Sequence, residues 1–393
     1  MKRLVTAGVL ALMACGGHGP VQGPVSTTLS PANPQAVTKM VQGITLAKDT
    51  GGRDRGIQLL REAILIDGKL WEARFDLGVI LASGGDLTGA EEQLIAAGKI
   101  NPDAGDVALA LGEVRRRRGE NRAASDGLGD FVEAHPAALD VRALYVAALR
   151  DAGQLDKAIS EARELLVKKP GDSSALAELA LCHLAKGERD TASLLAKQAL
   201  DANPHSAVAD RATGLIALAS GDDALAFQAF LKATQEDPRD ATARLNMGAV
   251  LLRAGAYTKA AEQYRAISQI LPDDSEAALG LAAALRGEGD AQHPQKYEEA
   301  RQILEKILER DPHYVGALYN LAILYADDLK RPADARPLFT RFLADAPADH
   351  PSRREAERYV ASMAAPPTKA SAPAPPATPG APNAPAPKTG AHP

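Results

Sequence analysis

The residue types that most often perform chemistry are sparse in this sequence of 393 residues. The eight histidines occur singly, with neither an HExxH motif nor another paired spacing that would bind a metal ion. The glycines around His18 do not form a phosphate-binding loop, because no strand pattern precedes them and no Gly-Lys-Ser/Thr follows. The sequence therefore predicts no catalytic residue, no metal site and no cofactor, and we expect the protein not to be an enzyme.

Cys15 is the residue with the clearest predicted chemistry. It follows a basic start and an apolar stretch, Leu4 to Ala14, that is too short to span a bilayer but suits the core of a secretory signal. The segment from Leu12 to Cys15 resembles a bacterial lipobox, which implies cleavage before Cys15 and its lipidation. Several acyl chains on one residue would give a stable membrane anchor. The alternative is an ordinary signal peptide with a chance cysteine.

Two further features could carry chemistry or binding. Cys182 has no disulfide partner if Cys15 is lipidated, so we expect a buried, inert thiol rather than a reactive one. The run Arg115, Arg116, Arg117 and Arg118 could form a basic patch for an acidic partner segment or lipid headgroups. The alternative is a solvated helix end, where cations meet the helix dipole favourably.

Composition excludes several classes of protein. Lys+Arg number 45 against 50 Asp+Glu, a formal net charge of -5, which argues against a dedicated nucleic-acid binder. Hydrophobic residues make up 46% and charged residues 24%, so the chain is too apolar to be disordered throughout. No apolar run approaches the length of a transmembrane helix.

Three residue types recur every 34 positions. The prolines are Pro102, Pro136, Pro170, Pro204, Pro238 and Pro272. The glycines are Gly51, Gly85, Gly119, Gly153, Gly187, Gly221, Gly255 and Gly289. The alanines are Ala90, Ala124, Ala158, Ala192, Ala226 and Ala260. Coincident spacing over about 300 residues indicates a repeat architecture.

One unit, residues 240–273, shows what each recurring residue does. Apolar residues at helical spacing predict a first helix, and Gly255 lies just past its end, where glycine adopts a left-handed cap without strain. A second helix follows and Pro272 ends it. Ala260 marks a close crossing of the two helices, because a larger side chain would push their backbones apart.

The unit resembles the tetratricopeptide repeat (TPR). The matching residues are Leu77-Gly78, Leu111-Gly112 and Met247-Gly248 in first helices, and Phe230, Tyr264 and Phe339 in second helices. The resemblance implies an all-α TPR solenoid of about nine helix-turn-helix repeats in a right-handed superhelix, with disordered termini and a concave wall of first helices. The aromatic residue usual early in the first helix is mostly absent, repeat 8 carries six extra residues, and repeat 9 has Arg331-Pro332 instead of the turn glycine.

The expected organisation follows from these assignments. Residues 1–14 form the lipoprotein signal peptide, and residues 15–34 hold the lipidated cysteine and a flexible tether. Residues 35–349 form the solenoid, and residues 350–363 form a C-terminal cap helix. Residues 364–393, rich in alanine and proline, form a disordered tail, with a partner-binding tail as the alternative.

The concave positions implied by the resemblance predict a binding groove over repeats 5–7, and the predicted groove residues also include Arg211 and Tyr319. Its apolar members are Leu181, Leu184, Leu215, Leu218, Leu245 and Leu252. If these leucines face the groove, the ligand is an extended apolar peptide or an amphipathic helix. The alternative is that some of them only seal neighbouring helices.

These features together predict a non-catalytic scaffold or adaptor lipoprotein of the bacterial cell envelope. We expect it at the outer membrane facing the periplasm, since Gly16 rather than aspartate follows the cysteine. Its layout is similar to the adventurous gliding-motility TPR lipoproteins, so we expect partner proteins of a motility complex or of type IV pilus secretin assembly. The alternative is an accessory lipoprotein that recruits cell-wall or polysaccharide-export enzymes.

Overall fold

The computed structural model describes residues 31–49 and 51–364, and every regular element in these residues is a helix. This confirms the predicted all-α class. The signal peptide, Cys15, most of the tether and the Ala/Pro-rich tail lie outside the described residues.

Nineteen helices follow one another along the described chain. The first eleven are α1 (Pro34–Ala47), α2 (Arg53–Ile66), α3 (Trp71–Ser83), α4 (Leu87–Ile100), α5 (Gly105–Arg117), α6 (Asn121–Ala134), α7 (Leu139–Asp151), α8 (Leu155–Lys168), α9 (Ser173–Ala185), α10 (Arg189–Ala202) and α11 (Ala207–Ala219). The others are α12 (Asp223–Glu236), α13 (Ala241–Arg253), α14 (Tyr257–Ile270), α15 (Ser275–Glu288), α16 (Gln295–Arg310), α17 (Val315–Ile323), α18 (Pro332–Asp345) and α19 (Arg353–Ala364). Odd-numbered helices from α1 to α17 are the first helices of nine repeats, and the following even-numbered helices are the second.

The helices fall into two compact units. The first unit extends to Ser220 and includes residues 235–239, and the second comprises residues 221–234 and those from Asp240 onwards. In the first unit each helix packs against the next, and first helices also contact one another, as α5 does with α7 and α7 with α9. In the second unit α14 packs between α13 and α15. Each unit has its own buried apolar core.

The turn glycines adopt the left-handed conformation that their spacing predicts. Six of them have φ between 71° and 91°: Gly85, Gly119, Gly153, Gly187, Gly221 and Gly255. A side chain is strained at such φ values, so glycine is favoured at each of these turns. Gly289 departs from the prediction: it ends α15 with φ -72°, where the extra residues of repeat 8 lead into α16.

Close packing of the two helices of a repeat explains the glycine in the Leu-Gly and Met-Gly pairs. A Cβ atom at Gly78 would lie 2.8 Å from Leu94, and one at Gly112 would lie 2.8 Å from Leu128. At Gly248 it would lie 2.7 Å from the ring of Tyr264. Each contacted residue lies 16 positions after its glycine, in the second helix of the same repeat. Glycine therefore lets the two helices of a repeat approach closely.

Repeat 9 is one residue longer than the 34-residue period, since Pro347 lies 35 residues after Pro312, and a local change of helix type accommodates the extra residue. The end of its first helix is a π-helix, Leu324–Asp328, which widens the helical turn. Lys330 follows with φ 55°, which is unusual for a residue with a side chain. The π-helix thus explains how this repeat turns without the glycine that the others use.

An arginine often replaces the aromatic residue missing early in the first helices. Arg74 donates to Gln93 over 3.3 Å, and Arg244 donates to Gln263 over 2.9 Å. Arg142 forms the same type of contact with Glu161. In all three cases the partner is 19 residues further on, in the second helix of the repeat. A polar pair therefore ties these helices together where an aromatic ring was expected.

Candidate functional site

Most of the leucines predicted to line a groove in repeats 5–7 are buried. Leu181, Leu184, Leu215, Leu245 and Leu252 are between 1% and 9% exposed, and Leu218 is half-buried. Their apolar side chains pack among the helices instead of facing solvent, as the alternative interpretation proposed. The structure thus gives no support to an open apolar groove at these positions, and partner binding by this set stays a prediction.

The two residues predicted to border that groove also make internal contacts. The Tyr319 ring packs 5.1 Å from the Phe342 ring, and its hydroxyl donates to Glu355 of α19 over 2.6 Å. Arg211 lies with its guanidinium 3.9 Å from the Glu178 carboxylate. Tyr319 is therefore covered by the last helix, whereas Arg211 belongs to a charged network described below.

The run from Arg115 to Arg118 does not form an open basic patch. Arg115 donates to Glu91 over 2.8 Å, and Arg117 donates to the carbonyl oxygen of Ala82 over 3.0 Å. Arg118 pairs with both Glu91 and Glu120. Only about 20–29% of the Arg115, Arg116 and Arg118 side chains is exposed. These guanidinium groups cross-link helices, which is a reason against the predicted basic patch.

Six side chains of alternating charge form a continuous network along the first helices α5, α7, α9 and α11. We call it the charged network, and its members are Glu113, Arg116, Asp151, Arg150, Glu178 and Arg211. Arg116 donates through Nε and Nη2 to Asp151 over 2.9 and 2.7 Å. Arg150 joins Asp151 to Glu178 over 2.9 and 3.1 Å. The network therefore ties four successive repeats of the first unit together.

The environment of the network favours the charged forms of Arg116 and Arg150. Burial acts to lower the pKa of Arg116, but Glu113 and Asp151 outweigh it and the net pKa is raised. The pKa of Arg150 is raised in the same way, with Glu178 and Asp151 outweighing burial. Cys182 lies close to these groups and is fully buried, and burial raises its thiol pKa to about 12. The expectation of a buried thiol is confirmed, and at neutral pH this thiol is protonated.

The first helices of repeats 2 and 3, α3 and α5, have fewer buried residues than the first helices of repeats 5–7. Phe75, Val79 and Leu109 are only partly buried. Carboxylates stand on the same faces of these helices, and we call this set the acidic row: Glu72, Asp76, Asp106 and Asp140. We did not predict the acidic row, although the sequence signal was present as acidic residues early in three successive first helices.

Burial and mutual repulsion raise the pKa of two carboxyl groups in the acidic row. Burial is the main reason that the pKa of Asp76 is raised to about 7, with Glu72 adding to the shift and Lys48 opposing it. The pKa of Asp106 is raised by burial and by Asp140 of the next first helix. The charged forms of these two carboxyl groups are therefore disfavoured in the free protein, and a cationic group placed beside the row would stabilise them.

Two other kinds of site are absent from residues 31–49 and 51–364. These residues bring together no group of three or more side chains that could hold a metal ion. Within the same residues, no helix combines the length and apolar character needed to cross a membrane.

Comparison with known families identifies the repeat. Two family models, both described as tetratricopeptide repeat, match more than half of the chain, at residues 44–106, 109–173, 147–192, 177–241, 226–275 and 293–356. The chain belongs to the tetratricopeptide repeat family. TPR proteins generally act as scaffolds for protein interactions, and the fold is typically non-catalytic.

Solved TPR structures resemble the chain at low sequence identity. The crystal structure of YrrB, a TPR protein with an unusual peptide-binding site, is 19% identical and covers 50% of this chain and 97% of its own, with a TM-score of 0.42. The Cut9–Hcn1 hetero-tetramer of the APC/C is 15% identical over 84% of this chain and 76% of its own, with a TM-score of 0.48. MamA from Desulfovibrio magneticus is 20% identical over 44% of this chain and 94% of its own, with a TM-score of 0.39. Among curated proteins, none matches this sequence.

Proposed function

We propose that this protein is a non-catalytic scaffold that binds a peptide segment of a partner protein on the first helices of repeats 2–4. One observation carries the proposal: α3 and α5 leave Phe75, Val79 and Leu109 partly exposed on helices that also bear the acidic row. Apolar side chains bordered by charged groups are a usual composition of protein interfaces. The surface fits a segment with apolar anchors and at least one lysine or arginine.

Pull-down experiments with matched variants test this surface. We expect Phe75→Ala with Leu109→Ala to reduce recovery of the partner about tenfold or more, because each side chain loses apolar contact area. The control carries Leu65→Ala with Val167→Ala, at side chains that are 85% and 75% exposed elsewhere. Equal recovery from the two variants, with circular dichroism showing both folded, would contradict the proposal.

The pH dependence of partner recovery tests the acidic row separately. Because the raised pKa of Asp76 is about 7, its carboxyl group gains a proton as the pH falls below 7, and the row loses negative charge. A cationic segment should therefore bind more weakly at pH 6 than at pH 8. Asp76→Asn should remove much of this difference. A pH dependence unchanged by Asp76→Asn would show that another group is responsible.

We further propose that the scaffold is tethered to the envelope membrane by a lipid on Cys15. The lipobox-like segment Leu12 to Cys15 supports this, and the residues concerned lie outside the described part of the chain. Cys15→Ser should shift the protein from the membrane fraction to the soluble fraction. A Cys15→Ser variant that still sediments with membranes would overturn the anchor without affecting the proposed binding surface.

The machine that this scaffold serves is proposed from the layout of the chain. The lipobox, the long array and the Ala/Pro-rich tail support an adaptor of a gliding-motility complex or of type IV pilus secretin assembly. Mass spectrometry of proteins that co-purify with the membrane fraction tests this directly. Recovery of motility or secretin proteins would support the assignment. Recovery of cell-wall or polysaccharide-export enzymes alone would replace it with the accessory role.

A further inference from the structure

A cavity of about 480 Å³ lies between α6, α7 and α8, away from the first-helix surface just described. We call it the α6 cleft. Its floor includes Ser125, Arg142 and Tyr145, which are 1%, 9% and 4% exposed. Its walls include Asp126, Asp130 and Glu133 of α6 on one side, and Gln154, Lys157 and Glu161 of the next repeat on the other. The volume is in the range of small ligand pockets.

Gly129 explains why repeat 3 has room for this cleft. At 34-residue spacing from Gly129 the other repeats carry large side chains, namely Ile95, Arg163, Lys197, Leu231 and Arg265. A Cβ atom at Gly129 would lie only 2.8 Å from the Tyr145 hydroxyl. The missing side chain therefore lets the Tyr145 hydroxyl approach α6 closely and leaves the space above it open.

The floor of the α6 cleft contains a buried hydrogen-bond donor without an acceptor. Arg142 is nine-tenths buried, and its Nη1 donates to Glu161. Its Nε is buried and has no hydrogen-bond partner among the described residues. A buried donor without an acceptor destabilises the protein, so a ligand oxygen that reaches this donor would be stabilised.

The α6 wall presents negative charge. Asp126, Asp130 and Glu133 are exposed and project from one face of the helix, since they are spaced by four and three residues. None of the three forms an ion pair within residues 31–49 and 51–364. With Glu161, the cleft is lined by four carboxylates against two cations, Arg142 and Lys157. This excess of negative charge disfavours phosphate, nucleic acid and other anions.

We propose that the α6 cleft binds a short extended peptide segment bearing lysine or arginine, supplied by a partner protein. Such a segment provides an acceptor for Arg142 Nε and a further cation for the carboxylates of the α6 wall. A backbone carbonyl oxygen accepts from Arg142 Nε on the floor, and the cationic side chain pairs with Asp126 and Asp130 on the wall. A simple polyamine offers the cation but no acceptor, so it satisfies only the wall. This site is independent of the first-helix surface.

Fluorescence anisotropy with the full chain tests the chemistry of the ligand. The probe is labelled acetyl-Ala-Lys-Ala-Ala-Lys-Ala-amide, and its counterpart has glutamate in place of lysine. We expect saturable binding of the lysine peptide only, with spermidine competing poorly. Absent binding of the lysine peptide, equal binding of the glutamate peptide, or equally effective competition by spermidine would each overturn the proposal.

Matched variants test the location. Asp126→Asn with Asp130→Asn should weaken binding of the lysine peptide about tenfold, as expected for two lost charge pairs. Glu164→Gln, at an exposed position of α8 outside the cleft, should leave binding unchanged. Unchanged affinity in the double variant, or an equal loss in Glu164→Gln, would overturn the location.

A second pair of variants tests the donor on the floor. Arg142→Lys removes Nε–H and should weaken peptide binding, whereas Arg74→Lys should not. Arg74 is the appropriate control because its Nε also lacks a hydrogen-bond partner among the described residues. Its repeat has Ile95 at the position that corresponds to Gly129, the residue that opens the cleft in repeat 3. Thermal unfolding of each variant verifies that it is folded. Equal peptide affinity for the folded Arg142→Lys and Arg74→Lys variants would contradict the proposed role of the floor.

Discussion

The second helices of repeats 3 and 7 occupy the same place in their repeats but differ in what surrounds them. α6 has Leu128 at the position where α14 has Tyr264, and both side chains are at most 1% exposed. Clefts flank α6 on two sides, one of about 480 Å³ facing α7 and α8 and one of about 370 Å³ facing α4 and α5. In α14 the tyrosine ring instead fills the space between Gly248 and Gly280.

The difference shows how one repeat framework yields either a core or a cleft. Around α6 the side chains are small, with Gly127, Gly129 and Ala108 at positions that carry larger residues in most other repeats. Around α14 the glycines are placed so that a large ring enters. The backbone period is the same in both, so side-chain volume decides which arrangement forms.

The largest expected effect comes from removing the ring that fills the second-unit core. Tyr264→Ala should lower the free energy of unfolding by about 3–5 kcal/mol, because it leaves a large cavity in a closely packed site. Leu128→Ala should cost nearer 2 kcal/mol, since fewer buried atoms are lost. Urea unfolding followed by circular dichroism measures both. A larger loss for Leu128→Ala than for Tyr264→Ala would reverse the comparison.

A smaller loss is expected from adding one methyl group beside that ring. A Cβ atom at Gly280 would lie 2.4 Å from the Tyr264 ring, which is fully buried and has little room to move. Gly280→Ala should therefore destabilise the protein by about 1–3 kcal/mol. Gly280→Ala should cost much less when it is added to Tyr264→Leu than when it is added to the wild type, which would confirm the ring as the cause. An equal cost in both backgrounds would show that the contact is elsewhere.

A glycine-to-alanine substitution in α6 should raise the free energy of unfolding instead of lowering it. A Cβ atom at Gly127 would meet only the flexible end of Arg115, at 3.0 Å, and the position is exposed. Gly127→Ala should stabilise the protein by about 0.5–1 kcal/mol, because alanine loses less conformational entropy in a helix. The midpoint of urea unfolding should rise. A fall in this midpoint would mean that the site beside α6 is as tightly packed as the one beside α14.

The smallest effect concerns the hydroxyl of Tyr264. It is buried, and it has no hydrogen-bond partner in the described part of the chain. Tyr264→Phe should therefore be neutral or stabilising by up to about 1 kcal/mol, because no hydrogen bond is lost. Thermal unfolding measures the change. A clear destabilisation by Tyr264→Phe would show that the hydroxyl has an acceptor in solution.

Much of the fold could be predicted from residue spacing, whereas the candidate surfaces could not. The helix pairs, the left-handed turn at Gly255 and the close approach at Gly248 follow from local patterns. The pairing of Arg116 with Asp151 spans 35 residues and depends on how neighbouring first helices pack. The burial of Leu252 likewise depends on side chains from other helices, so the concave position that the resemblance implies for it did not reveal this burial.

The sequence by itself determined the repeat, its turns and its helix ends, because backbone conformation at glycine and proline is a local property. Only the tertiary structure decided which first-helix residues reach solvent and which are enclosed. It also decided that the run from Arg115 to Arg118 cross-links helices and that Gly129 opens a cleft. The physical reason is that exposure and charge pairing depend on the volumes and positions of side chains from several helices at once.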